Sequence, residues 1–214
     1  RILLLLVLFT ALNAGAQKKT RFSEGYIVTK QGEKLSGFVH WKKSDIAEDS
    51  LQFKSPKNDM VRRFAWSDLD EAHNSDNRQT LKVFTVTRNL EYIDGNDYTI
   101  RLKDKVAVQV IPLTEIYKGS KLSLYEYYDK SLFYFLYNGK NILQLIQKYR
   151  YLTSTERMFD FEKGRRFEIT DVYRGLLATY YNFYEDSKMR YMLDNTLYEV
   201  GSLRRIISKM DSRL

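Results

Sequence analysis

Cysteine is absent from this chain, and histidine and proline occur only twice each. With no cysteine there are no disulfides, no thiolate nucleophile and no thiolate zinc site. A metal site built on imidazole would need His40 and His73 to converge, with carboxylates completing the set. A short secreted animal protein without cysteine would be odd, whereas a chain of this length in a bacterial periplasm or on a bacterial surface can bury enough apolar area without staples. After residue 12 no stretch is apolar enough to cross a membrane. No G-x-S-x-G elbow, P-loop or G-x-G-x-x-G occurs, so those nucleophile and phosphate signatures are excluded. The turn DGND at 94–97 lacks the alternating oxygen ligands of a calcium loop, because Tyr98 holds the third alternate place. No cofactor is implied.

The clearest functional signal is the beginning, RILLLLVLFTALNAGAQ. An apolar run over 2–12 is followed by Ala14 and Ala16 in the spacing a signal peptidase accepts, with Gln17 as the mature start. The run is too short for the ~20 residues that span a bilayer, so residues 1–16 are expected to be a cleaved export signal, with Arg1 a remnant of its basic start. No cysteine follows the run, which excludes a bacterial lipoprotein anchor. Localisation is expected in the periplasm, on the outer-membrane surface or outside the cell. The formal charge of +8 favours anionic partners. Export turns that preference toward acidic glycans or proteins of the envelope rather than nucleic acid, since an RNA-binding small barrel would need cytoplasmic residence.

Residues 17–24 carry Lys18, Lys19 and Arg21 and are expected to form a mobile leader. Over 25–41, Tyr26, Ile27 and Val28 rise to a polar turn at Gly32, and Leu35, Val39 and Trp41 alternate on the return, as in a β-hairpin. Gly37 leaves room there for a bend or for another backbone to pass close by. A polar connection over 42–49 leads to a strand at 50–54, a turn at 56–59 and a strand at 60–66. Ser67 and Asp70 then stand in capping-box spacing and predict one helical turn. Four strands and a helical turn resemble small SH3-like or Sm-like barrels, the resemblance resting on the G-x4-G hairpin. The polar stretch 73–80 is expected to be a loop or domain seam. Strands at 81–88, 91–93, 98–102, 106–110, 122–128 and 132–137 follow as a β-meander, ending in the tight-turn pair Asn138-Gly139. Residues 141–152 fit a helical face through Ile142, Leu145, Ile146 and Tyr149. They are assigned to strand because they follow a hairpin turn directly. Residues 153–167 are charged and irregular.

From Thr170, a plausible N-cap, the period changes. Tyr173, Leu176, Leu177, Tyr180 and Tyr184 recur every three or four residues, as in an amphipathic helix. A second helix is predicted after a Thr196–Glu199 capping box, with Leu197, Val200, Leu203, Ile207 and Met210 as its buried stripe. The expected fold is therefore α+β and mostly antiparallel β. It comprises a small barrel-type module at 17–72, a meander at 81–152, and a C-terminal helical part at 168–214 whose amphipathic helix pair packs on the sheet. The layout of an export signal, GYIVTKQGEKLSGFV, a strand-rich middle with KLSLYEYYDKSLFYFLYNG and a Tyr-rich helix pair resembles exported Bacteroidota proteins with no established biochemical role. The resemblance implies location and lineage and carries no functional residues across.

The chain has 17 tyrosines, and all but Tyr26, Tyr92 and Tyr98 lie from Tyr117 onward. Tyrosine offers a flat apolar face with a polar tip, suited to stacking on glycan rings or docking proteins, and it is also a good strand residue. Neighbours such as Tyr127 with Tyr128 and Tyr180 with Tyr181 point in different directions, so part of the set is expected at the surface. The expected binding residues are Tyr127, Tyr128, Tyr149, Tyr151, Tyr180 and Tyr181, with Arg165 and Arg166 suited to an acidic partner. The leading reading is a non-enzymatic exported protein that binds or scaffolds a protein or glycan. The alternative is an envelope hydrolase using Asp68, Asp70 and Glu71 near Trp66, which would need two facing carboxylates.

Overall fold

The computed structural model describes residues 22–41, 50–57, 60–94, 96–159 and 166–214. The expected signal at 1–16, the connection 42–49 and Arg165 lie outside these residues. Alternating apolar and polar side chains place most of the chain in strands: β1 (Ser23–Thr29), β2 (Lys34–His40), β3 (Ser50–Lys54), β4 (Val61–Ala65), β5 (Leu69–Asn74), β6 (Gln79–Asn89), β7 (Tyr92–Asp94), β8 (Thr99–Arg101), β9 (Val106–Lys118), β10 (Ser123–Asp129), β11 (Ser131–Tyr137), β12 (Ile142–Leu145), β13 (Lys148–Tyr151) and β14 (Phe167–Thr170). Ten of them form one antiparallel sheet in the order β12-β11-β10-β9-β6-β5-β1-β2-β3-β4, and β7-β8 and β13-β14 form two small ribbons. The helices are α1 (Ser154–Phe159), α2 (Val172–Tyr180), α3 (Ser187–Asp194) and α4 (Val200–Asp211). The protein is thus α+β and mostly antiparallel β, with helices at the C-terminal end.

Two glycines set the curl of the sheet. Gly25 and Gly37 face each other across β1 and β2. A Cβ on Gly25 would lie 2.0 Å from the His73 carbonyl oxygen, and one on Gly37 would lie 2.5 Å from that of Lys54. The neighbouring strands β5 and β3 can therefore pass closer than any side chain allows. The other end of the sheet returns toward β6 through one side chain. The Asn89 N–H donates to Gln144 Oε1 at 2.7 Å, and Gln144 Nε2 donates to the Asn89 carbonyl at 3.1 Å. A glutamine amide on β12 thus takes the place of a peptide unit opposite the end of β6.

Curling produces two apolar layers. Ile27, Val39, Leu51, Leu69 and Leu81 from the first strands share one cluster with Leu113, Tyr125, Phe133 and Phe135 from the later ones. The segments read as an N-terminal module and a meander therefore contribute to one sheet and one core. Leu124, Tyr134, Leu136 and Leu145 face the opposite way and meet Tyr173 and Leu177 of α2, Met189 and Leu193 of α3, and Leu203, Ile206, Ile207 and Met210 of α4. Being covered on both faces, β10 and β11 carry near-continuous apolar runs, and burial at about 25 cal/mol per Å2 explains why the helices stay on the sheet.

Several local expectations are corrected. Ser67 to Asp70 is no capping box. A 3-10 turn, Trp66–Asp68, has no side-chain cap and gives way to β5, whose backbone groups are taken up by β1 and β6. The polar stretch 73–80 is a tight hairpin rather than a seam: His73 pairs with Thr80, and Asn74 Oδ1 accepts from the Asp76 and Asn77 N–H groups. Within 153–167, α1 occupies Ser154–Phe159. Residue 171, not Thr170, precedes α2, and Tyr184 lies beyond its end at 85% exposure. Thr196 does not cap α4; its hydroxyl donates to the Met192 carbonyl at the end of α3, which leaves Leu197 59% exposed. Helix α3, with Met189 and Leu193 buried, was not foreseen.

The last turn of α4 is tied to the β9–β10 turn by a buried carboxylate, 8% exposed. Asp211 Oδ1 accepts from the Lys121 and Leu122 N–H groups at 2.6 and 2.7 Å, and Oδ2 accepts from the Ser120 N–H at 3.0 Å and the Tyr117 hydroxyl at 3.1 Å. Burial pushes the Asp211 carboxyl up, but the N–H donors of Leu122, Lys121 and Ser120 outweigh it and hold it below the usual aspartate range.

Two outcomes follow for stability. Gly37→Ala is expected to cost on the order of 2 kcal/mol in urea unfolding, with an unchanged slope, because backbone or Phe53 must shift. For Asp211, the folded carboxyl is more acidic than the unfolded one, so its contribution is complete above the unfolded value and is lost as pH falls through the folded value. Asp211→Ala should cost about 3 kcal/mol at neutral pH by leaving buried donors unmatched, and unfolding curves of the variant should show a flatter acid limb than those of the parent.

Candidate functional site

The expected binding tyrosines fall on three different elements. On β10, Tyr127 is 6% exposed and belongs to the core, which corrects its assignment to a binding face, whereas Tyr128 is 38% exposed on the opposite side. On β13, Tyr149 is half-buried: its N–H donates to Glu91 and its hydroxyl to Gln147. Burial, with the charges of Glu91 and Asp171, pushes that hydroxyl up to about 12. Tyr151 is exposed, its hydroxyl accepting from the Ile100 N–H. Tyr180 and Tyr181 sit where α2 ends and are the pair that a surface depression brings together. Arg166 is exposed beside β14.

The acids of the hydrolase alternative do not face one another. Asp70 and Glu71 are neighbours on a strand and point to opposite sides. Asp70 pairs with Lys30 at 2.5 Å, and Glu71 accepts from the Tyr26 hydroxyl at 2.7 Å and lies 3.7 Å from Lys82. Asp68 is exposed on the 3-10 turn, and Trp66 is 4% exposed, so it offers no ring to a sugar. His73 stacks on Tyr26 at 5.1 Å and meets Thr80 through Nδ1; His40 packs near Phe22. Among the described residues no three histidines, aspartates or glutamates are grouped to hold a metal ion.

The depression, about 500 Å3, is lined by Tyr180, Tyr181, Asn182, Glu185, Asp186, Ser187 and Leu214. Its geometry follows from the chain between α2 and α3. At Tyr181 the backbone becomes extended, which stops α2, and Phe183, 4% exposed, anchors the segment with its ring 5.0 Å from that of Tyr181. Asp186 caps α3 by accepting the Met189 N–H at 3.0 Å. It also accepts from the Tyr181 hydroxyl at 3.1 Å and from Arg213, so the floor is fixed by a three-residue network. Asn182 Oδ1 takes the Tyr184 N–H. Tyr180 is steadied by a 3.5 Å bond from Asn138 to its hydroxyl.

What remains unspent is the recognition chemistry. Among the described residues, Asn182 Nδ2, the Glu185 carboxylate and the Ser187 hydroxyl have no partner, and they rim two tyrosine rings. Beside the rim Tyr184 is 85% exposed with the Arg190 guanidinium 4.7 Å over its ring, and Tyr191 is 70% exposed. A second, far smaller cleft between Glu91, Gln144, Tyr149 and Tyr198 has about 10 Å3, room for one water and no sugar.

Sequence reasoning missed Arg88. It closes a β-branched strand, yet it is 4% exposed, with its guanidinium 4.9 Å from the Tyr127 ring and 5.0 Å from that of Phe133. Its Nη2 donates to Asp129 at 2.8 Å, while Nε and Nη1, like Gln109 Oε1, have no partner. Comparison of the chain with protein-family models, with curated proteins and with solved structures finds no match. Arg88→Ala is expected to cost about 3 kcal/mol, measured by chemical unfolding, because the two rings lose their packing and cation contact together. Asp129→Asn, at a half-exposed partner, should cost about 1 kcal/mol in the same assay.

Proposed function

We propose that this is an exported, non-enzymatic binding protein of the cell envelope that holds an uncharged glycan on its C-terminal helical layer. Export is supported by the sequence of residues 1–16, and no helix among the described residues is long and apolar enough to cross a membrane. The observation that carries the binding reading is the depression between α2 and α3, where Tyr180 and Tyr181 offer ring surface and Asn182, Glu185 and Ser187 offer unpaired donors and acceptors. Sugar rings present apolar faces edged by hydroxyls, and that combination matches them. The acidic glycan expected from overall charge fits less well, because Glu185 and Asp186 line the site; a neutral sugar accepts hydrogen bonds from the amide and donates to the carboxylate. The sheet's part is to hold the helices in place through Asp211 and the second apolar cluster.

Titration calorimetry against a panel of neutral and acidic envelope oligosaccharides tests this. Binding of a neutral member is expected, with Tyr180→Ala weakening it at least about fivefold, since one stacked ring is worth roughly 1 kcal/mol or more. Absence of binding across the panel, or binding that Tyr180→Ala and Glu185→Gln both leave unchanged, would refute it.

A further inference from the structure

The N-terminal half of β9 is built unlike the rest of the sheet. Over residues 106–112 it pairs with β6 on one side, Val110 opposite Thr85, Val108 opposite Thr87 and Val106 opposite Asn89. On the other side β10 meets it only from Thr114 to Lys118. Among the described residues, no strand takes the outward backbone groups of 106–112, where Pro112, buried, contributes no N–H and closes the far end of the open stretch. The same segment turns Val106, Val108 and Val110 to the surface at 62%, 71% and 42% exposure, next to exposed Thr85 and Thr87. β-branched residues on an open edge without a charge are the composition that folded proteins avoid on an edge left bare.

The other ends of the sheet are guarded. Edge strand β4 exposes Arg62 and Arg63, two like charges on a five-residue edge. Edge strand β12 has four residues and is occupied through Gln144 and Asn89. The β9 edge is the long and uncharged one among these, and it is guarded at its far end alone, by Pro112, which has no N–H to offer.

We propose that residues 106–112 are the seam of a two-fold homodimer, in which β9 pairs antiparallel with β9 of a second copy. The order of residues selects this occupant. About an axis at Val108, Val106 of one copy faces Val110 of the other, so the seam joins three valines from each chain into one patch on one side of a continuous sheet. On the other side Ala107 faces Gln109, small against large. Lys103 and Lys105, the nearest positive charges, fall opposite residues 113 and 111, so like charges do not meet despite the net charge of +8. Nothing within 106–112 carries a charge that would select an acidic foreign strand instead. The interface is isologous, as closed dimers require.

Sedimentation equilibrium on the purified protein tests the proposal. A concentration-dependent monomer–dimer equilibrium is expected, and hydrogen exchange should show the outward-facing amides between Val106 and Ile111 protected as concentration rises. Val108→Lys places an ammonium opposite its own copy and should raise the dimer Kd by more than about a hundredfold. Its thermal unfolding as a monomer should match the parent, because the side chain is exposed. Thr87→Lys, on the facing strand, serves as a second variant, and Val61→Lys on β4 should leave association unchanged. A monomer at every concentration, indefinite assembly without a dimer, or a dimer that both Val108→Lys and Thr87→Lys leave intact would overturn it.

Discussion

An aspartate in the last turn of a helix works against the helix dipole, whose negative end lies there. Asp211 occupies that place in α4 and is nevertheless held ionised, because three backbone N–H groups and a phenol converge on it from the β9–β10 turn. The bond set is what joins the helical layer to the sheet at a fixed angle. Gly119 permits it: a Cβ there would lie 2.3 Å from the Asp211 carboxylate. Once α4 is fixed, Ile206, Ile207 and Met210 close over Leu122 and Leu124, and the smaller helices pack around the result. The depression at Tyr180 and Tyr181 depends on the same placement, since Arg213, two residues beyond Asp211, reaches Asp186.

The tyrosines divide by the fate of their hydroxyls. Tyr173 donates to the Thr196 carbonyl and Tyr198 to the Leu145 carbonyl, both at 2.6 Å, so these rings fill the interior while their polar tips join chain segments that are far apart in sequence. Burial raises the Tyr134, Tyr173 and Tyr198 hydroxyls above their ordinary value. Tyr184 and Tyr191 reach water with their tips, while Tyr180 and Tyr181 have their hydroxyls bonded within the protein and present ring surface to the depression.

Much of the fold was legible because strands announce themselves by alternation. The hairpin at 25–41, the strand at 50–54 and the Leu203, Ile207 and Met210 part of the α4 stripe lie where period and turn chemistry put them, whereas the run read as a meander is interrupted, since β6 pairs with β9 and β7 pairs with β8 apart from the large sheet. Close passage of another backbone at Gly37 was legible too, and the Lys54 carbonyl fills that role. What failed shares one cause. Residues 75–78 are an exposed turn, as a loop reading expects, but His73, Asn74, Gln79 and Thr80 beside it are paired strand residues whose polar side chains find cross-strand partners, and Tyr127 looks like a surface residue because β10 is covered on both faces. Neither fact exists until the sheet curls. The candidate site was half legible: Tyr180 and Tyr181 were named, but Asn182, Glu185 and Ser187 were not, since ordinary polar residues acquire a role only from the ring surfaces beside them. Arg88 and Asp211 leave no local trace at all.

Where β12 comes back to β6, one glutamine amide stands in for a row of peptide groups. A stave held by two bonds is weaker than one held by a full ladder, so this is where the molecule should open first under a pulling force or at a threading protease. Chemical ageing has the same address: loss of the amide nitrogen from Gln144 would leave a buried carboxylate beside the Asn89 carbonyl, turning the latch into a repulsive pair.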